Sequence, residues 1–153
     1  MLQKRKDSQV ALNLGGDGRY DSPGFRARFC YYVVMDLGTR EILGFFTAIK
    51  HQVTGGSANM EPFACKTVLL SLVNFGLNIA SFTTDRSSSI KNMLQSCPEF
   101  RSIAHEFDPW HMIKSIMKDV WKYCKNKNCE KLALWRESIN LMLWWSFATS
   151  SWV

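Results

Sequence analysis

The stretch Gly15-Gly16-Asp17-Gly18-Arg19-Tyr20-Asp21-Ser22-Pro23-Gly24 sets an aspartate among glycines. It directly follows the apolar run Val10-Ala11-Leu12-Asn13-Leu14, which predicts a strand that ends near Gly16. Glycine lets the backbone approach a ligand closely. We therefore expect Asp17 to lie where this strand ends and to face a metal ion or a polar substrate rather than the core.

The pattern of an apolar strand that ends in an aspartate occurs twice more. Residues 79–85 end in Asp85, and residues 103–108 end in Asp108. Neighbouring strands lie about 4.8 Å apart, and magnesium prefers carboxylate oxygens, water and phosphate as ligands. We predict that Asp17 and Asp85 meet in space and hold a divalent metal ion.

The bulk composition is that of a globular chain with a basic surface. The 153 residues contain 19 Lys+Arg against 13 Asp+Glu, a net charge of +6, which favours a polyanionic partner such as nucleic acid. The five cysteines are scattered and odd in number, so we expect reduced thiols. The uncharged run over residues 138–153 is shorter than the roughly 20 residues of a membrane span. We expect a buried helix there and no membrane association.

The order of predicted elements is β-β-β-α-β-α-β-α-α, in which the second and third strands form a hairpin. Three consecutive strands followed by alternating helices and strands predict an α/β fold, a mixed sheet with helices on its faces. We divide the chain into a basic N-terminal tail (1–9), the α/β core (10–111) and a helical segment (112–153). We expect the chain to be a fragment whose packing partner lies downstream, or a truncated gene product.

Together with Asp108-Pro109-Trp110-His111 after the fifth strand, these aspartates resemble the ribonuclease-H-like catalytic core of DDE/D transposases. The chain is most similar to the cut-and-paste superfamilies with a Cys/Asp-x-x-His motif (hAT, P element, Mutator-like and Kolobok-like). Residues 16–24 and the segment Asp85-Arg86-Ser87-Ser88-Ser89-Ile90 are most similar to Kolobok-like elements. The resemblance extends over residues 12–145.

The resemblance implies a ribonuclease-H-like mixed five-stranded sheet, followed by the start of an all-α insertion domain. It implies metal-dependent cleavage and strand transfer on DNA, with Asp17 and Asp85 as ligands of two Mg²⁺ (or Mn²⁺) ions. Asp108 and His111 would support the site. In such enzymes the third carboxylate lies beyond the insertion, so we expect the site of this chain to be incomplete. The implied partner is transposon-end DNA, the implied location is the nucleus, and a homo-oligomer is an open alternative to a monomer.

Ordinary structural roles compete with these assignments. Asp21 lies in Asp-Ser-Pro-Gly, which is good turn chemistry, so we favour a turn over a helper ligand. Asp85 could instead cap the serine-led helix that follows it. Asp108 before a proline is a common helix start, and His111 could bond to it. Arg19 could neutralise phosphate or pair with the acids, as could Arg86.

A row of lysines at helical spacing follows His111. Lys114, Lys118, Lys122 and Lys125 could form a solvated helix face or contact DNA phosphates without sequence preference. The tryptophans of the last two helices are spaced in a way that suits a core better than a base-stacking surface. These are residues 110, 121, 135, 144 and 145.

Two further functions remain open at this point. A domesticated transposase-derived protein would keep the fold and bind DNA without cleaving it. A ribonuclease-H-type nuclease would recruit another acid, such as Glu130 or Glu137, in place of the missing carboxylate.

Overall fold

The structure is a computed structural model that describes residues 2–150. Met1 of the expected tail and residues 151–153 of the expected helical segment lie outside the described residues. The chain divides into two compact units after Glu106. The helices and strands follow in chain order: α1 Leu2–Ser8, β1 Leu12–Tyr20, β2 Phe29–Asp36, β3 Ile42–Ile49, α2 Met60–Phe75, β4 Ile79–Thr84, α3 Ser88–Ser96, β5 Ala104–Phe107, α4 Pro109–Cys124 and α5 Leu132–Thr149.

A five-stranded sheet with the order β3-β2-β1-β4-β5 forms the first unit. β2 pairs antiparallel with both β1 and β3, whereas β4 pairs parallel with β1. The expected hairpin of the second and third strands is present. The strand order and the mixture of directions confirm the predicted fold class, a ribonuclease-H-like mixed sheet flanked by helices.

Helix α2 covers one face of the sheet and forms the core with it. The helix packs against β1, β2 and β3, and it ends at Gly76, whose φ of +91° is one that glycine adopts readily. Its buried side chains are apolar or small and face Leu12, Leu14 and Phe82 of the central strands. They are Met60, Ala64, Cys65, Val68, Leu69 and Leu72.

The glycine-rich stretch up to Tyr20 is a strand and not a turn, which differs from the sequence prediction. β1 continues to Tyr20, and its antiparallel register with β2 runs from Leu14 to Tyr20. The aromatic and β-branched residues of β2 supply a strong pairing partner, so the glycines remain extended. Asp17 therefore lies inside the strand, opposite Val33.

The N-terminal residues also differ from expectation, because the basic tail contains helix α1. Its Arg5 guanidinium binds the carboxylates of Asp36 and Glu41 and the Thr39 hydroxyl. Burial alone would raise the pKa of Asp36, but bonds from Gly38, Thr39 and Arg5 hold it below the usual value. These contacts attach α1 to the β2–β3 turn.

The second unit contains α4 and α5, which contact each other. Helix α5 has no buried residue, so the expectation of a buried helix after Ser138 is wrong for the described residues. Its apolar residues occur all around the helix, so α4 can cover them only on one side. No helix in residues 2–150 combines the length and apolar character needed to span a membrane. The five cysteines are free thiols.

We predict that Gly16→Ala destabilises the sheet unit by about 1–3 kcal/mol, as overpacking a core does. An added Cβ would lie 2.6 Å from Phe82 Cζ and 2.7 Å from the Tyr32 hydroxyl. Urea denaturation measures the loss. Gly38→Ala is the control, because its nearest contact is Asp36 Oδ1 at 3.4 Å and its change should stay within about 0.5 kcal/mol. Equal stability of the two variants would contradict the close packing of β1.

Candidate metal centre and nucleic-acid interface

Asp17 is presented on an open part of β1. Leu14 and Gly16 face the α2 side of the strand, and Asp17 lies between Gly16 and Gly18 on an exposed part of it. The side chain is exposed, and within residues 2–150 no hydrogen bond or ion pair occupies its carboxylate. This carboxylate is therefore accessible to a ligand from solvent.

Asp85 follows β4 at nearly the same level of the sheet. The parallel register pairs Leu14 with Phe82 and Gly15 with Thr83. Extending that register by two residues brings Asp17 level with Asp85. The N-cap residue of helix α3 is Ser87, whose hydroxyl accepts from Ile90 N.

A third carboxylate, which the sequence analysis did not include in the site, lies beside these two aspartates. Glu61 is in the first turn of α2, and a Cβ on Gly18 would lie 2.8 Å from its Oε1. Burial raises the pKa of the Glu61 carboxyl, and the charges of Asp17 and Asp85 raise it further. The first unit thus places three acids near the end of β4.

One sequence signal could have identified Glu61. Glu61 and Lys66 are the two charged residues of an otherwise uncharged helix, so the sequence indicated that this helix is largely covered. An acid in a first helical turn is usually explained by its attraction to the helix dipole. Only the path of α2 across β1 brings this acid to Asp17.

The three carboxylates are neighbours, but their oxygens do not converge on a single point. Within residues 2–150, the side-chain oxygens of Asp17, Glu61 and Asp85 do not all lie within 4.8 Å of one another. Like charges repel, so neighbouring carboxylates separate unless a cation offsets their charge. The donor set consists of hard oxygen ligands, which suits Mg²⁺ or Mn²⁺ better than a soft metal.

The two supporting residues predicted beside Asp17 have different surroundings. Asp21 Oδ1 accepts hydrogen bonds from the backbone N–H groups of Arg28 and Phe29 at 3.0 and 3.2 Å. These bonds close the β1–β2 connection, which agrees with the turn assignment. Arg19 is exposed at the rim of an open cavity that Tyr20 and Phe25 also line.

In the second unit, Asp108 and His111 form the start of α4. The Asp108 carboxylate accepts from Trp110 N at 2.9 Å, and its other oxygen lies 2.7 Å from His111 Nδ1. Pro109 occupies the first helical position. This is the helix-cap arrangement that the sequence offers as the structural alternative to a role in the site.

The lysine row forms one surface of α4. Lys114, Lys118, Lys122 and Lys125 are all exposed and line a shallow groove together with Trp121. The expectation that the tryptophans form a core is wrong for the described residues. Each of the five is at least 41% exposed, namely Trp110, Trp121, Trp135, Trp144 and Trp145.

No protein-family model matches the chain, and no curated protein matches it. Among solved structures, a simian T-cell lymphotropic virus intasome in complex with PP2A regulatory subunit B56 gamma is 14% identical, with a TM-score of 0.40 over 83% of this chain. This chain spans only 48% of that chain.

Two structures of the HTLV-2 integrase catalytic core domain in complex with magnesium are also similar. The trimeric form is 12% identical with a TM-score of 0.38, and the match covers 94% of this chain and 90% of that one. The dimeric form is 14% identical with a TM-score of 0.37, covering 94% and 91%. Because similarities at this level are weak, the fold class rests on the strand order.

We predict that Glu61→Gln stabilises the protein in EDTA at pH 7. The raised pKa means that folding disfavours the Glu61 charge, so native stability falls as the pH rises above the usual glutamate range. The melting temperature should increase by about 3–6 °C, which corresponds to about 1 kcal/mol. The increase should shrink towards pH 4, where folded and unfolded chains both bind the proton.

Scanning calorimetry at pH 7 and pH 4 makes this comparison. Glu130→Gln, at an exposed position in the second unit, is the matched control and should leave the melting temperature unchanged at both values. A melting temperature for Glu61→Gln that is lower than that of the wild type at pH 7 would show that the three acids do not repel one another.

Proposed function

We propose that this chain is part of a transposase- or integrase-like catalytic domain that cleaves and joins DNA strands with the help of divalent metal ions. The observation that carries the proposal is the placement of Asp17 and Asp85 level with each other at β1 and after β4, with Glu61 of α2 beside Gly18, in a mixed five-stranded sheet. Glu61 supplies a third carboxylate within the described chain, where the sequence analysis expected none.

Asp17, Glu61 and Asp85 would hold the metal, either Mg²⁺ or Mn²⁺, and two ions are expected in the complete site. When bound, such ions polarise the scissile phosphate and stabilise both the attacking and the leaving oxygen. The protein contributes the parallel pairing of β1 with β4, which ends at Gly15 and Thr83, two residues before Asp17 and Asp85. Helix α2 contributes Glu61 from the covered face of the sheet.

Binding of the DNA strand is assigned to positive charge outside this acidic cluster. The exposed lysines of α4 would contact backbone phosphates, and Arg19 at the open cavity rim would contact a phosphate near the acids. Contacts of this kind position the nucleic acid without reading its sequence. The supporting role of Asp108 and His111 is to begin α4, which carries the lysines.

The finer assignments are also proposals. They are transposon-end DNA as substrate, descent from Kolobok-like elements, a homo-oligomeric assembly and a nuclear location. Each is supported by the resemblance of the sequence to DDE/D transposases, and the DNA substrate is also supported by the acids and the lysine row.

A second candidate is a ribonuclease-H-type nuclease that cleaves without joining strands. The observation that favours it is the position of Glu61 in the same unit as Asp17 and Asp85. A strand-transfer assay with a pre-cleaved 3′-hydroxyl end separates the two candidates. Joined product supports the transposase proposal, whereas cleavage without joining supports the nuclease.

We predict that the carboxylates bind Mn²⁺, measured by isothermal titration calorimetry. Asp17→Asn, Glu61→Gln and Asp85→Asn should each weaken binding by at least about tenfold, since each removes a charged ligand. The same variants should abolish Mg²⁺-dependent nicking of supercoiled plasmid. Glu137→Gln, on α5 in the second unit, is the control and should bind and cleave as the wild type does.

Unchanged Mn²⁺ binding in Asp17→Asn would contradict the metal site. Wild-type binding of Mn²⁺ and DNA without any nicking would favour the domesticated, inactive DNA-binding protein.

We also predict that the lysine row sets the salt dependence of duplex DNA binding. Replacing Lys118 and Lys122 together by glutamine should reduce the slope of log Kobs against log salt by about 2, because about two phosphate contacts are lost. Fluorescence anisotropy at four salt concentrations measures the slope. The control pair Lys127→Gln and Lys131→Gln, on the turn between α4 and α5, should alter it less. Equal effects of both pairs would mean that only net charge matters.

A further inference from the structure

Two half-exposed tryptophans lie on the same side of helix α4. Trp110 is 48% exposed and Trp121 is 50% exposed. They are eleven residues apart, which is about three helical turns, so both rings project within about 20° of one direction and about 16 Å apart along the axis. Large aromatic rings left this open are candidates for contact with another molecule.

A cation lies over each of the two rings. Lys114 Nζ is 4.4 Å from the centroid of the Trp110 ring, and Arg136 Cζ is 4.7 Å from that of Trp121. Attraction between a cation and a ring face holds these positive groups beside the indoles. A phosphate that binds either cation would therefore have its base close to an indole ring.

The groove beside Trp121 has a strong excess of positive charge. It is lined by Lys114, Met117, Lys118, Asp119, Trp121, Lys122 and Lys125. Four of these seven residues carry a positive charge and one carries a negative charge. The charge complements a polyanion, while the indole and thioether complement a flat apolar group.

We propose that the Lys–Trp face, defined as Trp110, Trp121 and the four lysines of α4, binds single-stranded DNA. Unpaired bases stack on the two indoles while the lysines hold the phosphates. In a duplex the base faces already stack on one another, so this mode requires an unpaired strand. The inference rests on the proposed function only in taking DNA as the ligand, and it adds that the ligand is an unpaired segment.

The test compares two ligands of equal charge in EDTA, so no metal chemistry contributes. One is a dT12 oligonucleotide and the other is a 12-mer of the same backbone without bases. If bases stack on the indoles, the full chain should bind dT12 at least tenfold more tightly, which is 1.4 kcal/mol. Equal affinities would overturn the proposal, because phosphate contacts alone would then account for binding.

Variants locate the preference on α4. The double variant Trp110→Leu, Trp121→Leu should bind the two oligomers equally, with its affinity for the abasic oligomer unchanged. Trp135→Leu removes a 64% exposed tryptophan of α5 and should keep the preference. The double variant Trp110→Phe, Trp121→Phe retains aromatic rings and should keep most of the preference for dT12. This variant tests the role of the aromatic faces even if the leucine double variant fails to fold.

The proposal would be overturned if the leucine double variant kept the preference for dT12. It would also be overturned if Trp135→Leu lost that preference. Asp17→Asn separates this inference from the proposed chemistry, because it should lose nicking and keep the dT12 preference. A base preference without any metal-dependent cleavage would uphold the binding mode and refute the catalytic proposal.

Discussion

The close packing of side chains from β2, β4 and α2 over the glycines of strand β1 is the constraint on which the candidate site depends. Gly16 and Gly18 present only hydrogen on the α2 side, where Phe82, Tyr32 and Glu61 occupy the space that a Cβ would need. This packing allows the first turn of α2 to bring a carboxylate to the strand. The glycines thus serve contact between elements, and the backbone they belong to is an ordinary paired strand.

The parallel pairing of β1 with β4 leaves the candidate site open at one edge of the sheet. Because the two strands run in the same direction, their carboxyl ends lie at the same edge of the sheet. β4 ends at Thr84, whereas β1 continues to Tyr20 with β2 on its other side. The last residues of β1 therefore have no strand partner on the β4 side in the described chain. Asp17 lies on this unpaired length, and Asp85 begins the chain that leaves β4.

The sequence predicted the elements of the sheet well because their patterns are local. The hairpin, the strand before Asp85 and the cap at Asp108 all follow from apolar runs and turn residues, and the mixed α/β sheet follows from their order. What the sequence could not supply depends on contacts between distant segments. The extension of β1 comes from its pairing with β2, and the position of Glu61 comes from the crossing of α2 over β1.

The tryptophans show a different limit of sequence patterns. Their spacing is the same whether a helix packs in a core or lies at the surface, because periodicity identifies a face and not the partner of that face. In residues 107–150 two helices share a large apolar content, and α5 has no buried residue. Only the structure shows how exposed the tryptophan side chains are. It changes the assignment of Trp110 and Trp121 from core residues to surface residues.

The acidic cluster and the lysine row lie in different units, which has a consequence for how cation and DNA would act together. The three acids all precede residue 106, and the lysine row lies after residue 107. A polyanion is repelled by uncompensated carboxylates, so the acidic cluster can hold a phosphate only with a cation present. The lysines attract phosphate without one. In the proposed function, DNA binding therefore needs no divalent ion, whereas entry of the scissile phosphate among Asp17, Glu61 and Asp85 does.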